Sequence, residues 1–304
     1  MSGAAVDDWL RARVAPVREK RLGAIGAFHG TLAALARESV AGAPAQRLRS
    51  FSHDHASDLQ AALALLAGVS GLGIVVHGPA GCATALRGAR AAWASSGLDQ
   101  RDSILGGEAR LARSVRALHA AHAPQAIAVV ATPVVAINND DIESTVAELR
   151  DELGIPVFAV GCDGFRSKLS GTGRDVALHA LLRQLLPPRP RERGNHALLL
   201  GGATAAVDLV AAGGLLGELG LASVGFPHAL ALAELERLAT ARLSVALDGD
   251  DGAYAAALLA EGYGVPSVAT PPPIGREATS RWLAAVGEAS GRGEQARLLA
   301  ARHE

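Results

Sequence analysis

The chain reads as an α/β protein with two parallel sheets, and two observations lead there. Short, continuously apolar runs such as residues 126–131 alternate with amphipathic stretches of helical length. Strands that are apolar on both faces belong to parallel sheets covered on both sides. The device Gly154-Ile155-Pro156, which turns a helix into the next strand, returns as Gly264-Val265-Pro266, so the second half resembles the first. The pattern predicts two Rossmann-like units, with ligands gathering at the carboxyl ends of the strands.

Composition sets the frame. A chain of 304 residues that is 49% hydrophobic has ample core material for two such units. Lys and Arg total 29 against 30 Asp and Glu, and no basic block or aromatic platform suits a phosphate backbone, so nucleic acid is not an expected partner. No apolar run reaches the ~20 residues needed to span a bilayer, and the first twenty lack the apolar core of a signal peptide; no membrane partner and a cytoplasmic location are the expectation. Two cysteines make no disulfide framework.

Residues 1–50 carry helical patterning with interspersed charge and read as an N-terminal arm; residues 51–188 form the first unit and residues 194–304 the second. The first is read as a helix over 58–69, a strand over 73–76, a helix after Cys82, a helix over 107–122 and a strand over 126–131. A helix from near Asp140 to Leu153, its acids suited to the helix dipole, then leads to a strand over 157–160. Residues 186–193, LPPRPRER, are a proline and arginine linker. Beyond it come strands over 197–201, 222–225 and 243–247, the last ending in Asp248-Gly249-Asp250-Asp251-Gly252, and a closing helix from about Gly287.

One of the two cysteines stands at the end of residues 71–85, GLGIVVHGPAGCATA, where a strand meets a glycine turn, His77-Gly78-Pro79-Ala80-Gly81-Cys82. A thiol at a helix start sits among unpaired amides, and the expectation is a lowered pKa. The turn lacks the Lys-Ser/Thr pair of a phosphate loop. His77 reads as a hydrogen-bonded structural residue. Arg87, Arg166 and Arg174 are either a positive lining for an anionic ligand or surface solubilisers. Asp248, Asp250 and Asp251 are either oxygen ligands for a hard cation or a solvated loop.

The motifs together resemble the component 1 family of nitrogenase and nitrogenase-like oxidoreductases. Residues 77–82 are similar to its His-Gly-Pro-x-Gly-Cys cluster-binding turn, and Gly106-Gly107-Glu108 with Leu111 to its Gly-Gly-Glu-x-x-Leu helix start. Asn139-Asp140-Asp141-Ile142 resembles its Gly-Asp-Asp-Ile segment, and Gly154-Ile155-Pro156 through Cys162-Asp163-Gly164-Phe165-Arg166 its strand and Cys-x-Gly-Phe-Arg turn. Gly173 falls where the family has a glycine before the next helix, and Tyr263-Gly264-Val265-Pro266 with Pro273-Ile274-Gly275 and Thr279 resembles its last blocks.

The resemblance implies a component 1-like subunit of a two-component oxidoreductase, taking electrons from an ATP-dependent iron protein through an iron–sulfur cluster between subunits. The reduced substrate would be a tetrapyrrole or another small molecule. The alternative is a non-catalytic scaffold for metallocluster assembly or docking. Family members typically bring three cysteines to that cluster; here Cys82 matches the second, the first falls near Phe51-Ser52-His53-Asp54-His55, and the third at Thr132 or Pro133. The resemblance therefore implies a [4Fe-4S] cluster held by Cys82 from each of two chains, with His53, Asp54 or His55 completing the set and Gly81 beside it. Those three polar residues otherwise cap the turn before the helix at Asp58. Asp248 stands where the nitrogenase catalytic subunit has its cofactor cysteine, so no iron–molybdenum cofactor is expected; Cys162 reads as structural. The implied assembly is a homodimer, or a heterodimer with a larger homologue.

Overall fold

The computed structural model describes residues 57–162, 164, 170–186, 192–201, 206–226, 230–247, 251–270 and 273–303, with Thr31, Ala33, Ala34 and Arg37 near the start. The expected N-terminal arm otherwise lies outside the described residues.

Helix α1 (Asp58–Ala67) opens with a capping box in which Ser57 accepts from the Gln60 amide and the Gln60 side chain returns to the Ser57 amide. After Gly68 come β1 (Val69–Ser70) and β2 (Leu72–His77), every residue of β2 being buried. A seven-residue 3-10 helix (Ala80–Leu86) leads to β3 (Ala92–Ser95), and α2 (Asp102–Leu105) precedes α3 (Glu108–His122). Next are β4 (Ala126–Ala131), α4 (Pro133–Asn138), α5 (Ile142–Leu153), β5 (Val157–Gly161) and α6 (Ser170–Leu185). The second half runs β6 (His196–Leu200), α7 (Ala206–Glu218), β7 (Ala222–Phe226), β8 (Leu230–Ala231), α8 (Glu236–Thr240) and β9 (Leu243–Ala246). It ends with α9 (Asp251–Tyr263), β10 (Ser267–Ala269), α10 (Arg276–Ser290) and α11 (Gly293–His303).

Both four-stranded sheets are wholly parallel, in the orders β3-β2-β4-β5 and β10-β9-β6-β7. Each has one reversal of strand order, between β2 and β4 in the first and between β6 and β9 in the second. At such a switch point the two strands feed connections that leave in opposite directions, which opens a crevice at their carboxyl ends. His77 ends β2 there, and Ala131 is its partner on β4.

One core joins the halves. A single cluster runs from Leu63, Ile74, Phe158 and Leu181 into Leu198, Leu200, Leu258 and Val265, and β1 pairs with β8 in a two-residue parallel bridge. Burying large aliphatic side chains is worth ~1.5 to 3 kcal/mol each, so this shared layer fixes the sheets against each other. Tyr263 Oη donates to the Leu186 carbonyl at 2.6 Å, and Arg193 donates to the carbonyls of Ala239 and Tyr263 at 2.7 Å each.

Several elements differ from the sequence expectation. The segment after the glycine turn is a short 3-10 helix, because Pro79 supplies no amide and the Cys82 N–H closes back on the Pro79 carbonyl at 3.0 Å. β3 was not expected: it is a half-buried edge of small residues around Trp93, with little apolar alternation to mark it. α4 was also missed, although Thr132 followed by Pro133 is a cap and first-position pair. The helix expected near Asp140 starts later, at Ile142, because Asp141 caps it by accepting from the Ser144 amide. Gly173 stands within the first turn of α6, not ahead of it, and a Cβ there would fall 1.8 Å from the Asp58 carbonyl oxygen; only glycine admits this approach of α6 to α1.

Candidate functional site

The first switch point gathers the residues of the glycine turn. Gly78 is buried against Thr132, which follows β4; a Cβ on Gly78 would lie 2.2 Å from Thr132 Oγ1. The Thr132 amide donates to the His77 carbonyl at 3.2 Å, continuing the β2–β4 ladder one residue further. On the other side, Ser96 and Leu98 extend β3, donating to the carbonyls of Val76 and Gly78 at 3.0 Å each. The turn is thus clamped between two strand ends.

From this frame Cys82 projects as a half-buried free thiol. Thr132, itself fully buried and with no well-aligned partner for its hydroxyl, is within reach of the sulfur and favours the thiolate. Burial outweighs it and pushes the Cys82 pKa up. This corrects the lowered value expected from a helix start: the 3-10 turn spends the Cys82 amide on Pro79 and offers no long helix dipole. Beside the thiol, Gly81 is exposed, and a Cβ added to it would meet nothing within 4 Å. The mouth is open.

The other sequence candidates scatter. Arg87 is exposed just past the 3-10 helix, and Arg174 is partly buried in α6. Cys162 lies in the core at the end of β5, its amide donating to the Ala131 carbonyl at 3.2 Å. His53, Asp54, His55, Arg166, Asp248 and Asp250 lie outside the described residues, and Asp251 opens α9. Among the described residues no three His, Cys, Asp or Glu side chains are placed to hold a metal ion. A thiolate-ligated cluster needs about four ligands. The described donor set, one thiol beside an exposed glycine, does not fit a cluster enclosed by the described residues of this chain.

Behind the turn is a polar group whose members the sequence did not connect. His77 is fully buried, with Nδ1 3.0 Å from Ser96 Oγ and Nε2 3.2 Å from Asp140 Oδ2, an ion-pair distance without the angle of a straight hydrogen bond. Burial lowers the His77 pKa against the opposing pull of Asp140 and, less strongly, Glu108. Asp140 Oδ2 accepts from the Gly107 amide at 3.2 Å, and Glu108 Oε1 accepts from the Asp141 amide at 3.2 Å. Gly107 has no room for a side chain, since a Cβ would lie 2.8 Å from His77 Cε1 and 2.7 Å from Asp140 Oδ2. The Gly-Gly-Glu and Asn-Asp-Asp motifs were visible in the sequence; that they meet at His77 follows only from the β2–β4 crossover.

Two exposed apolar residues of α2, Ile104 (82% exposed) and Leu105 (70%), and one of α4, Ile137 (70%), lie on elements that pack together. α4 starts at Pro133, next to Thr132.

Two parallel sheets with a thiol-bearing glycine turn at the first switch point define the class: a component 1-type α/β protein. The family model described as nitrogenase component 1 type oxidoreductase matches residues 57–304, and the chain belongs to that family. Over 230 residues it is 27% identical to the nitrogenase iron-molybdenum cofactor biosynthesis protein NifE of Methanococcus maripaludis, covering 70% of this chain and 47% of that protein. Over 126 residues it is 31% identical to the nitrogenase molybdenum-iron protein alpha chain of Methanosarcina barkeri, covering 37% of this chain and 24% of that one. The structure titled nitrogenase Cp1 at pH 6.5 superposes with a TM-score of 0.69 at 19% identity, over 83% of this chain and 54% of the other. The chain spans less than half the length of these two curated relatives. Among the described residues no helix is long and apolar enough to cross a membrane.

Proposed function

We propose that this chain is a subunit of a nitrogenase-like complex that presents Cys82 to a second component 1-like chain, so that the two grip an iron–sulfur cluster as a scaffold and not as a site of turnover. The partner is a second copy or a larger homologue. The observation that carries this is the half-buried Cys82 thiol on a turn exposed at Gly81, in a chain whose described residues hold no group of three metal-donor side chains. Its raised pKa suits a ligand that gives up its proton only when metal arrives. The exposed Ile104, Leu105 and Ile137, on two helices that pack together, support a protein neighbour for this domain. Relatives named for cofactor biosynthesis favour the scaffold. In such a site the cluster supplies electron storage, and the chain's part is to orient the sulfur and exclude water.

A second reading is an electron-accepting subunit served by an ATP-dependent iron protein, favoured by the family's description as an oxidoreductase. No iron–molybdenum cofactor enters either reading.

Oxygen-free purification with iron and acid-labile sulfide analysis tests the proposal. The expected result is about two iron atoms per chain, half of a shared four-iron cluster, lost in Cys82→Ala along with a dimer or heterodimer band in light scattering. Iron retained in Cys82→Ala overturns it. ATP-dependent reduction of the bound cluster by an iron protein selects the second reading.

A further inference from the structure

At the amino ends of the second sheet, a cavity of about 400 Å³ opens between the start of β9 and the turn that joins α10 to α11. Arg242, Ser290, Gly291, Arg292, Glu294 and Gln295 line it, and its volume lies in the range of small-molecule sites. Both arginines are fixed by neutral oxygens and not by acids. The Arg292 guanidinium donates to the Leu219 carbonyl at 2.6 Å and to Asn195 Oδ1 at 2.8 Å, while Arg242 Nη1 donates to the Ser290 carbonyl at 3.4 Å. The Arg242 backbone is tied as well, its amide donating to the His196 carbonyl at 2.8 Å. A guanidinium carries five N–H donors, so these bonds leave donors unspent on both groups. Neither has a carboxylate at ion-pair distance among the described residues. Ser290 turns its hydroxyl back to the Gly287 carbonyl at 3.2 Å, which leaves the two arginines and the exposed Gln295 as the side-chain donors of the cavity.

We propose that this cavity binds a phosphate-bearing small molecule, with the part-buried Arg292 as its fixed anchor and Arg242 as the second guanidinium. The two arginines reach the cavity from different elements, Arg242 from the start of β9 and Arg292 from the α10–α11 turn. A phosphoryl group presents three oxygens and can bridge two guanidinium forks, whereas a carboxylate has two and is satisfied by one fork. Because Arg292 is already held by Leu219 and Asn195, little side-chain freedom is lost when an anion arrives. Glu294, exposed on α11, is the one acid among the described lining residues; it opposes an anion and so gives the site an opposite signature that can be read. The site lies on the second sheet and is independent of Cys82 and of any cluster.

Isothermal titration calorimetry of the intact chain with inorganic phosphate, in a low-chloride buffer, tests it. The expected result is one saturable site per chain, weakened about tenfold in Arg242→Gln, where charge-assisted bonds are lost. Arg292→Lys keeps the charge but not the fork and should also weaken binding about tenfold. Glu294→Gln should tighten it about threefold, the scale of an exposed charge interaction. Arg116→Gln, which removes an exposed arginine paired with Glu152 on the first domain, should change nothing. Arg242 is exposed, so Arg242→Gln carries the test even where Arg292→Lys does not fold. Absence of saturable phosphate binding, binding unmoved in Arg242→Gln, an equal loss in Arg116→Gln, or acetate binding as tightly as phosphate each overturns the proposal.

Discussion

Gly173→Ala tests the close approach of α6 to α1. The added methyl would stand 1.8 Å from the Asp58 carbonyl oxygen and 2.5 Å from its carbon, so α6 must retreat from α1 by more than about 1 Å to reach ordinary contact. Both partners are backbone, and no side chain can swing aside. Overpacking of this kind costs about 1 to 3 kcal/mol, and a clash with rigid backbone belongs at the upper end. Alanine recovers about 0.5 kcal/mol of helix propensity, the lower figure because Gly173 lies in the first turn of α6. The expected net loss is about 2 kcal/mol, read as a lower urea midpoint at unchanged slope. Gly214→Ala is the internal control: it is exposed on α7, a Cβ would meet nothing within 4 Å, and it should gain about 0.5 to 1 kcal/mol. Equal or greater stability in Gly173→Ala would refute the α1–α6 approach.

Three further outcomes follow from the same structure. Tyr263→Phe removes a buried donor from the Leu186 carbonyl and should cost about 1 to 3 kcal/mol in the same denaturation assay. Ser57→Ala opens the capping box of α1 at a cost of about 1 kcal/mol, and Ser57→Asp should restore most of it. Stability should fall on acidification below about pH 6.5, where the unfolded chain protonates His77 and the folded chain, its His77 pKa lowered by burial, binds the proton less readily. Since the unfolded state holds more protons in that window, the slope of stability against pH is positive there, and a flatter slope in His77→Gln checks the assignment by thermal denaturation across pH.

Much of the fold was legible because parallel strands carry their own signal. β2, β4 and β6 are buried along their whole length or nearly so and read as unbroken apolar runs. β3 escaped notice because an edge strand of alanine and serine, exposed on one side, has no such run. The site was legible in part. Cys82 and its glycine turn stand out as a motif, yet the thiol's protonation went the other way, because a local rule about helix starts was overruled by burial and by the spent amide of a 3-10 turn. His53, Asp54, His55 and Asp248 remain positions of interest outside the described residues.

By itself the amino-acid order determined the α/β class, the repeated strand and helix pattern, the family motifs and the identity of the one thiol at the turn, since each is written in local periodicity or in contiguous residues. Only the tertiary structure decided that Thr132 faces that thiol, that Ser96 and Asp140 meet at His77, and that one core is shared by both sheets. Ser96 and Asp140 come together because β3 and β4 flank β2 on opposite sides at the switch point, and a pairing across strands that are distant in sequence leaves no local periodicity to read.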